Sequence, residues 1–269
     1  MQALIQKQLE NAPKSPGYRI FMLAAAAAAM AWSCTALQMD SVKQDGLQIA
    51  ANIVSGILQP DTELLFNLTT AGVPYLLVET VCIAFLGTII GAILAVPLSF
   101  LSASNIVPLP AALAGRSIIM AVRTVPAFVY GLMFIRVTGP GAFAGLLTMS
   151  LCSIGMLSKM YIDAIQDLDV RILESLDASG CNTFQKIRYG IIPQLVPNFL
   201  STVIYRFDMN LRDAAVLGLV GAGGIGAPLI FAMSSYRWNE VGSILAGLII
   251  LVLVIEYFST KIRVKLARG

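Results

Sequence analysis

Six long apolar stretches, separated by polar connections, set the pattern of this chain. Each is roughly 20 residues long, the length of helix that crosses the hydrocarbon core of a bilayer. A backbone in lipid must satisfy its own hydrogen bonds, so each stretch is predicted to be a helix. Pro97, Pro126 and Gly87 are expected to kink or pack these helices. The stretches are Tyr18–Leu37, Leu76–Leu101, Gly115–Val137, Gly141–Ala164, Leu195–Leu219 and Val241–Phe258.

The connection between the first two stretches, residues 38–75, is the longest and has a helical pattern of its own. Apolar side chains recur there at helical spacing, which predicts a helix at the membrane interface. Such a helix is either a plain connector on the membrane surface or part of a docking surface for an external binding protein. The residues that form the pattern are Leu47, Ile49, Ile53, Val54, Ile57 and Leu58.

A polar interruption, residues 167–197, separates the fourth stretch from the fifth. Two aspartates near its start are helix start signals, and helix formers follow as far as Ala178. Gly180 then either ends that helix in a left-handed conformation or lets another backbone approach closely. Pro193 and Pro197 stand before the next apolar run, so the pattern predicts a short helix, a turn and a new membrane entry.

The predicted short helix has one apolar face and one polar face. The apolar face can lie on lipid or against the base of the helix bundle, and the polar face can be bound from the aqueous side. The apolar residues are Ile172, Leu173 and Leu176, and the polar residues are Arg171, Glu174 and Asp177.

The order of residues in this interruption resembles the cytoplasmic coupling loop of ABC importer permeases. That loop has Glu-Ala-Ala, a glycine four residues after the second alanine, and Leu-Pro further on. Here Glu174-Ser-Leu is followed by Gly180, and Pro193 comes thirteen residues after that glycine, with isoleucine before it. The resemblance implies an all-α integral membrane protein like a type I ABC importer permease, with a cytoplasmic coupling helix. It assigns the ATPase contact to Arg171, Glu174, Asp177, Ala178, Gly180 and Pro193.

Two further stretches resemble the permease subunit of phosphonate-type ABC importers. They are Arg123-Thr-Val-Pro126 with Gly131, and Tyr205–Arg212 followed by Val216–Gly226. The resemblance runs from about Leu76 to the C-terminus, and it implies a homodimer that translocates a phosphonate or related phosphorus oxyanion by alternating access. It also implies a cytoplasmic ATPase dimer that binds ATP and Mg²⁺, and an external substrate-binding protein. No cofactor is expected in the chain itself.

The composition agrees with a membrane protein. Hydrophobic residues make up 57% of the chain and charged residues 12%, and the mean hydropathy is +0.80. These values are far from those of soluble domains. The 269 residues suffice for six spans and one modest loop, without room for a second, enzymatic domain. The expected layout is a cytoplasmic segment 1–17, a first span 18–37, an external loop 38–75, a five-helix core 76–260 with the coupling loop 167–194, and a basic tail 261–269.

Lysine and arginine are distributed unevenly between the connections, and this predicts the orientation. With a cytoplasmic N-terminus, twelve basic residues lie inside and three outside. We therefore expect both termini and the coupling loop in the cytoplasm, and the chain in a bacterial inner membrane in contact with lipid. The inside residues are Lys7, Lys14, Arg19, Arg116, Lys159, Arg171, Lys186, Arg188, Lys261, Arg263, Lys265 and Arg268, and the outside residues are Lys43, Arg136 and Arg237.

Several classes of function receive little support. The net charge is only +3, and the basic residues lie near span ends, which disfavours nucleic-acid binding. The chain has no histidine and four isolated cysteines, so neither a metal site nor a catalytic site is predicted. It has no G-x-x-x-x-G-K-[ST] loop, so the energy must come from a separate ATPase. The N-terminal apolar run is longer than a secretory signal core and is expected to be retained as a span.

The run Gly221-Ala-Gly-Gly-Ile-Gly226 matches the dinucleotide-binding pattern G-x-G-x-x-G. No βαβ unit surrounds it and its flanks are apolar spans, so we predict a tightly packed turn at the outer end of the fifth span. Because glycine accepts dihedral angles that other residues avoid, Gly221, Gly223 and Gly224 are candidate gate residues.

The fifth stretch carries polar side chains at membrane depth, where such groups usually face a cavity or a partner. At about 100° per residue, they fall on two stripes. Either two structural ion pairs hold the bundle together, or one stripe lines an anion path with arginine matched to phosphonate oxygens. One stripe contains Arg206, Asn210 and Asp213, and the other contains Asp208 and Arg212.

Three further charged residues lie in the third and fourth apolar stretches. Arg123 precedes Pro126 and either reaches the membrane interface or faces the translocation path. Lys159 and Asp163 are four residues apart and are predicted to form a surface pair beside the coupling helix.

Other transport functions stay open from the sequence. The same architecture would serve an ABC importer for another small solute, such as phosphate, phosphite or an amino acid. A secondary transporter would need repeated halves and broken midplane helices, and no repeat is visible. A channel or membrane scaffold would have no reason to present a cytoplasmic helix with Gly180 and Pro193 at this spacing.

Overall fold

The computed structural model describes residues 16–35 and 46–267, and no β-strand occurs within these ranges. The predicted segment before residue 16, residues 36–45 and residues 268–269 lie outside the described residues. The chain divides into two units, residues 1–52 and 53–269. The helices are α1 (Pro16–Thr35), α2 (Gly46–Leu58), α3 (Thr62–Phe66), α4 (Val73–Ser102), α5 (Leu109–Thr124), α6 (Ala127–Thr138), α7 (Ala142–Gln166), α8 (Val170–Ala178), α9 (Thr183–Gln185), α10 (Ile192–Gly218), α11 (Gly226–Ser234) and α12 (Trp238–Ala267).

Apart from a break at Val125 and Pro126 and single residues at the ends of two stretches, the predicted apolar stretches are helical where the structure describes them. α2 occupies the helical pattern in the first long connection. In the described ranges, α4, α7 and α12 are each long and apolar enough to cross a membrane, and α5 with α6 makes a fourth span if the bent pair counts as one. The apolar part of α1 is shorter, Ile20–Thr35. α10 carries charged residues along its second half and packs inside the bundle against α4, α7 and α12.

The third apolar stretch forms two helices, because the chain breaks at Pro126, where the sequence predicted a kink. α5 and α6 meet at an angle of 84°. Pro126 disfavours helical geometry at the residue before it, and Val125 accordingly has an extended ψ of 123°. The Pro126 carbonyl accepts hydrogen bonds from the amides of Val129 and Tyr130, at 3.0 and 3.4 Å, and so begins α6.

Small residues bring α4 and α7 together at the centre of the bundle. A Cβ atom on Gly87 would lie 2.5 Å from the Cβ of Met149, and one on Gly91 would overlap the Cβ of Ser153. Ala84, one turn before Gly87, is completely buried. Glycines four residues apart let two membrane helices approach closely, so this pairing fixes the axis around which the other helices pack.

Apolar clusters follow one another along the bundle and join α10 to this central pair. Near the start of α4, Val73 packs with Ile225 and Ile244. At the opposite end, the Tyr161 ring of α7 stacks on the Phe199 ring of α10, with 3.9 Å between centroids. This stacking holds the first half of α10 beside the end of α7, where the polar interruption begins.

Candidate functional site

The polar interruption after α7 contains the predicted short helix, α8. Asp169 is its N-cap, because the Asp169 side chain accepts a hydrogen bond of 3.0 Å from the backbone N–H of Arg171. Asp167, the other predicted start signal, instead ends α7. Arg171 and Glu174 are exposed, as predicted for the polar face. Arg171 and Glu174 on this face of α8 are therefore accessible to a partner.

The turn after α8 is fixed by Gly180, which has a φ of +75°. The Gly180 N–H donates to the Asp177 carbonyl at 2.9 Å, and the Cys181 N–H donates to the Leu176 carbonyl at 3.0 Å. These two bonds form a Schellman motif, which requires a left-handed residue at this position. A Cβ on Gly180 would meet no atom within 4 Å, so the left-handed conformation, not close approach within the chain, explains the glycine.

α8 is anchored to the base of α10 by contacts that the sequence did not reveal. The Leu176 side chain lies against Gly190, where a Cβ atom would overlap Leu176 Cδ1. Lys186 forms an ion pair with Asp177. Both Gly190 and Lys186 belong to a π-helical turn, Lys186–Ile191, which continues directly into α10. The only sequence signal for this anchor is a glycine within the run that leads into the fifth stretch.

The last two predicted coupling residues lie at the two ends of this anchored segment. Ala178 is the final residue of α8 and is exposed. Pro193 lies in the first turn of α10, where a missing N–H is well tolerated. Pro197 lies further inside α10, so the new helix begins before both prolines and not after them.

Arg206 on α10 reaches towards α7. Its guanidinium is buried, with Nη2 3.7 Å from Asp213 Oδ2. Arg206 Nε donates to Ser153 Oγ at 3.3 Å, and Nη1 lies 3.2 Å from the sulfur of Met156. This stripe of the fifth stretch thus contains one of the two ion pairs that the helical spacing allowed.

Asp208 and Arg212 form the second ion pair, on the side of α10 that faces α12. Arg212 Nη2 donates to Asp208 Oδ2 at 2.8 Å and lies 3.4 Å from Oε2 of Glu256 on α12. Asp208 is only 5% exposed, whereas the Arg212 side chain is 49% exposed. Both pairs favour a structural role for these charges, and the prediction that one stripe lines an anion path stays a prediction.

Asn210 joins three helices. Its side-chain amide donates to Thr88 Oγ1 on α4 and to Ser153 Oγ on α7, each at 2.7 Å, and the residue is completely buried. The sequence placed Asn210 among the path candidates and gave no indication of these partners. They lie 122 and 57 residues away, beyond the reach of a local pattern.

The glycine run after α10 is the tightly packed turn that the sequence predicted. Gly221, Gly223 and Gly224 have φ values of +89°, +80° and +71°. The Gly221 carbonyl accepts a hydrogen bond from the Gly141 N–H at 2.9 Å, directly before α7. Thr80 Oγ1 on α4 accepts from the Ile225 N–H, also at 2.9 Å. The turn is thus seated on the starts of two central helices, and its role as a gate stays a prediction.

Two alanine substitutions separate backbone strain from close packing in this turn. Both Gly221→Ala and Gly223→Ala place a side chain at positive φ, at a cost of about 1–2 kcal/mol. Only at Gly223 would the new Cβ lie 2.6 Å from a backbone nitrogen, that of Ala142; at Gly221 its nearest neighbour is 3.7 Å away. We expect Gly223→Ala to lower the melting temperature of the purified protein clearly more than Gly221→Ala does. Equal shifts would contradict the packing argument.

Arg123 forms no ion pair with the charges of α10 among the described residues. It is exposed near the end of α5, and its stem crosses α7 at Gly155, where a Cβ would be 2.9 Å from Arg123 Cγ. Lys159 and Asp163 form the predicted surface pair, with 4.0 Å between Nζ and Oδ2. Among residues 16–35 and 46–267, no group of three His, Cys, Asp or Glu side chains is placed to hold a metal ion.

Comparison with known families identifies the bundle. Residues 87–263 match the family described as "Binding-protein-dependent transport system inner membrane component". The chain belongs to this family. It is a membrane permease subunit of a transport system and not an enzyme. The matched range contains α8, its anchor on α10 and the charged residues of α5, α7 and α10 described in this subsection.

The permease has curated relatives at about one third identity. It is 37% identical over 194 residues to the phosphate-import permease protein PhnE of Mycolicibacterium smegmatis, covering 72% of this chain and 36% of that one. It is 32% identical over 188 residues to the phosphite transport system permease protein PtxC of Stutzerimonas stutzeri, covering 70% and 68%. Over 118 residues it is 32% identical to an Escherichia coli chain named as a cryptic phosphonate transport system permease protein, PhnE2, covering 44% and 97%. The permease therefore spans about a third of the Mycolicibacterium protein's length.

Two solved structures share the fold. The permease matches a chain of the inward-facing MetNI methionine ABC transporter with a TM-score of 0.61 and 20% identity, over 71% of this chain and 94% of that one. It matches a chain of an amino acid ABC transporter crystallised with histidines with a TM-score of 0.59 and 19% identity, over 81% and 96%. At these identities the likeness establishes the fold, that of an ABC importer permease.

Proposed function

We propose that this permease translocates a phosphorus oxyanion, namely a phosphonate, phosphite or phosphate, across the inner membrane. One observation carries the proposal: three relatives at 32–37% identity are named for phosphate, phosphite and phosphonate. These anions share a tetrahedral phosphorus centre with charged oxygens. A site built for one of them therefore needs only small changes to accept another.

The energy for transport comes from a separate cytoplasmic ATPase dimer, which binds ATP and Mg²⁺ and holds the exposed face of α8. Two copies of the permease frame one path, and an external binding protein delivers the substrate. The anchor of α8 supports this mechanism. Because Leu176 packs on Gly190 and Asp177 pairs with Lys186, a displacement of α8 also moves the base of α10.

Both termini of the permease lie in the cytoplasm in this proposal. Basic residues assigned to the inner side support it, since they gather at one end of the bundle. Arg116 Nε donates to the carbonyl of Ser102, the last residue of α4, at 3.1 Å. Lys261 and Lys265 on α12 border a cavity together with Pro197 of α10. The same end carries α8, so the coupling loop and these three basic residues lie at one end of the bundle.

The orientation can be tested with cysteine labelling. Cys181 follows the Schellman turn of α8 and is partly exposed. In a variant with the other three cysteines, Cys34, Cys82 and Cys152, replaced by alanine, we expect a membrane-impermeant maleimide to label Cys181 only after the cells are opened. Ser235→Cys, in the exposed turn between α11 and α12, should be labelled in intact cells and serves as the matched control. Labelling of Cys181 in intact cells would contradict the orientation.

The substrate class can be tested by reconstitution. The permease, its ATPase and its binding protein would be placed in liposomes, and ATP-dependent uptake of radiolabelled phosphate, phosphite and methylphosphonate measured. We expect uptake of at least one of them and mutual competition among them. Sulfate and methionine, a similar oxyanion and an unrelated solute, should compete weakly. ATP-dependent uptake of methionine without any uptake of the phosphorus oxyanions would refute the proposed substrate class.

A further inference from the structure

A cavity of about 180 Å³ lies between α5 and α7, at the end of the bundle that carries α8. Three cationic side chains line it, Arg116, Arg123 and Lys159, and one carboxylate, Asp163. Gln166 and aliphatic side chains complete the wall. The cavity therefore has an excess of positive charge, unlike the paired charges on α10.

The two helices place these cations at successive depths. Arg116 and Arg123 are seven residues apart on α5, which is about two turns or 10 Å along one face. Arg116 lies near Gln166 at the end of α7, while Arg123 lies against Gly155, three turns earlier in that helix. Because residue 155 has no side chain, the Arg123 stem can cross α7 there, and Arg123 lines the same cavity as Arg116.

The three cations differ in the hydrogen bonds and ion pairs that they already form within the protein. Arg116 is fixed, since Nε donates to the Ser102 carbonyl at 3.1 Å and Nη2 to Ser104 Oγ at 3.2 Å. A guanidinium has five N–H groups, so donors are left for a ligand. Lys159 Nζ lies 4.0 Å from Asp163 Oδ2, and the two side chains are 54% and 58% exposed. Such an exposed ion pair is weak, so Lys159 can also bind a ligand. Arg123 has no carboxylate within ion-pair distance among the described residues.

We propose that this cavity binds a phosphorus oxyanion, with Arg123 as the principal donor and Arg116 and Lys159 as supporting cations. The arginine fork matches two oxygens of a tetrahedral oxyanion, and an anion would neutralise charge that the protein leaves unbalanced. Two sources share this chemistry. One is the translocated anion on its way to the cytoplasm, which rests on the proposed function, and the other is the phosphate of an anionic phospholipid headgroup.

The test measures ³¹P line broadening of inorganic phosphate by the purified permease–ATPase complex in detergent, without nucleotide. Phosphate bound by the ATPase gives the same background in every variant. Arg123→Gln should weaken the permease-dependent broadening about tenfold or more, because a charge-assisted hydrogen bond is lost. Arg123→Lys keeps the positive charge but loses the forked pair of donors, so its phosphate broadening should lie between that of Arg123→Gln and that of the unchanged protein.

Two further variants make the test specific. Arg136→Gln removes the same charge from an exposed residue at the far end of α6 and should leave phosphate binding unchanged. Asp163→Asn removes the carboxylate from the cavity and should tighten phosphate binding about two- to fivefold. The proposal is overturned if Arg123→Gln and Arg136→Gln behave alike, or if Asp163→Asn has no effect.

Lipid nanodiscs distinguish the two sources. In nanodiscs of phosphatidylcholine alone, the phosphate response should match that in detergent. If one quarter of the lipid is phosphatidylglycerol and the site holds headgroups, the phosphate response should fall and lipid co-purification should depend on Arg123. An unchanged response identifies the free anion as the ligand. A transport assay that finds a different solute would refute the proposed function but leave Arg123-dependent phosphate binding standing, so the two failures are distinguishable.

Discussion

Gly180→Val is expected to abolish ATP-driven uptake while the permease stays folded in the membrane. A β-branched residue at a φ of +75° destabilises the left-handed conformation by at least about 1–2 kcal/mol. This cost is enough to break the two exposed hydrogen bonds of the Schellman turn. The end of α8 then changes direction. Apart from the neighbouring residues, nothing lies within 4 Å of the new Cβ, so no packed core is disturbed.

Glu174→Ala tests the polar face of α8 without changing the backbone. The Glu174 side chain is exposed, and its removal should change the free energy of unfolding by no more than about 0.5 kcal/mol. We expect it to weaken capture of the ATPase and to uncouple uptake from ATP hydrolysis. Glu63→Ala is the matched control, because Glu63 is also exposed but lies on α3, in the connection that we predict to be external.

Gly180→Asn separates two roles of the glycine. Asparagine adopts the left-handed conformation more readily than other non-glycine residues, so it should preserve the turn. If the turn alone matters, Gly180→Asn should retain most ATPase binding. If a backbone of the ATPase must approach this residue closely, Gly180→Asn should fail as Gly180→Val does.

The deciding measurement is co-purification of the ATPase with each variant in nanodiscs, together with substrate-stimulated ATP hydrolysis. The amount of permease in the membrane is recorded in parallel. Normal ATPase capture and normal uptake in both Gly180→Val and Glu174→Ala would contradict the role of α8 in coupling.

The parts of the fold that follow from neighbouring residues were predictable from the sequence. Asp169 and Gly180 mark the two ends of α8 by side-chain capping and by a left-handed turn, and both signals depend only on local chemistry. The Asp208–Arg212 ion pair of α10 was also visible, because residues four apart on a helix lie on the same face. These features need no knowledge of the tertiary structure.

Contacts between distant segments were not predictable from the pattern. The contact of Leu176 with Gly190 depends on the path of the chain after the turn at Gly180. The hydrogen bonds of Asn210 to Thr88 and Ser153 depend on the packing of three helices. The cationic cavity has the same origin, because Arg123 and Lys159 come to line one cavity only when α5 packs on α7. A single sequence contains these residues but not their distances.

The break between α5 and α6 was predictable only in part. Pro126 was recognised as a source of a kink, yet the apolar run on both sides predicted one span. The helix ends at Thr124 because the residue before proline prefers extended geometry, and it starts again at once because the Pro126 carbonyl caps α6. Local chemistry therefore gives the position of the break, whereas the angle of 84° depends on packing.

Arg212→Gln is expected to reduce the amount of permease in the membrane sharply. It leaves the Asp208 carboxylate without its cation in a position only 5% exposed. Breaking a buried ion pair from one side costs about 3–5 kcal/mol, because the remaining charge is buried and uncompensated. The cost is raised further here, since Asp208 Oδ1 is buried and has no hydrogen-bond partner among the described residues.

The double variant Arg212→Gln with Asp208→Asn should recover much of the lost amount of permease, because it removes the buried, unpaired charge of Asp208. Glu256→Gln is the matched control. The Glu256 side chain is 52% exposed and contacts Arg212 at 3.4 Å, so its neutralisation should change the amount of permease little. Membrane abundance, detergent thermal stability and uptake are measured for all three variants. If Arg212→Gln instead assembles normally but loses uptake, and Asp208→Asn rescues nothing, the charge of Arg212 serves the translocation path and the structural assignment of this pair is wrong.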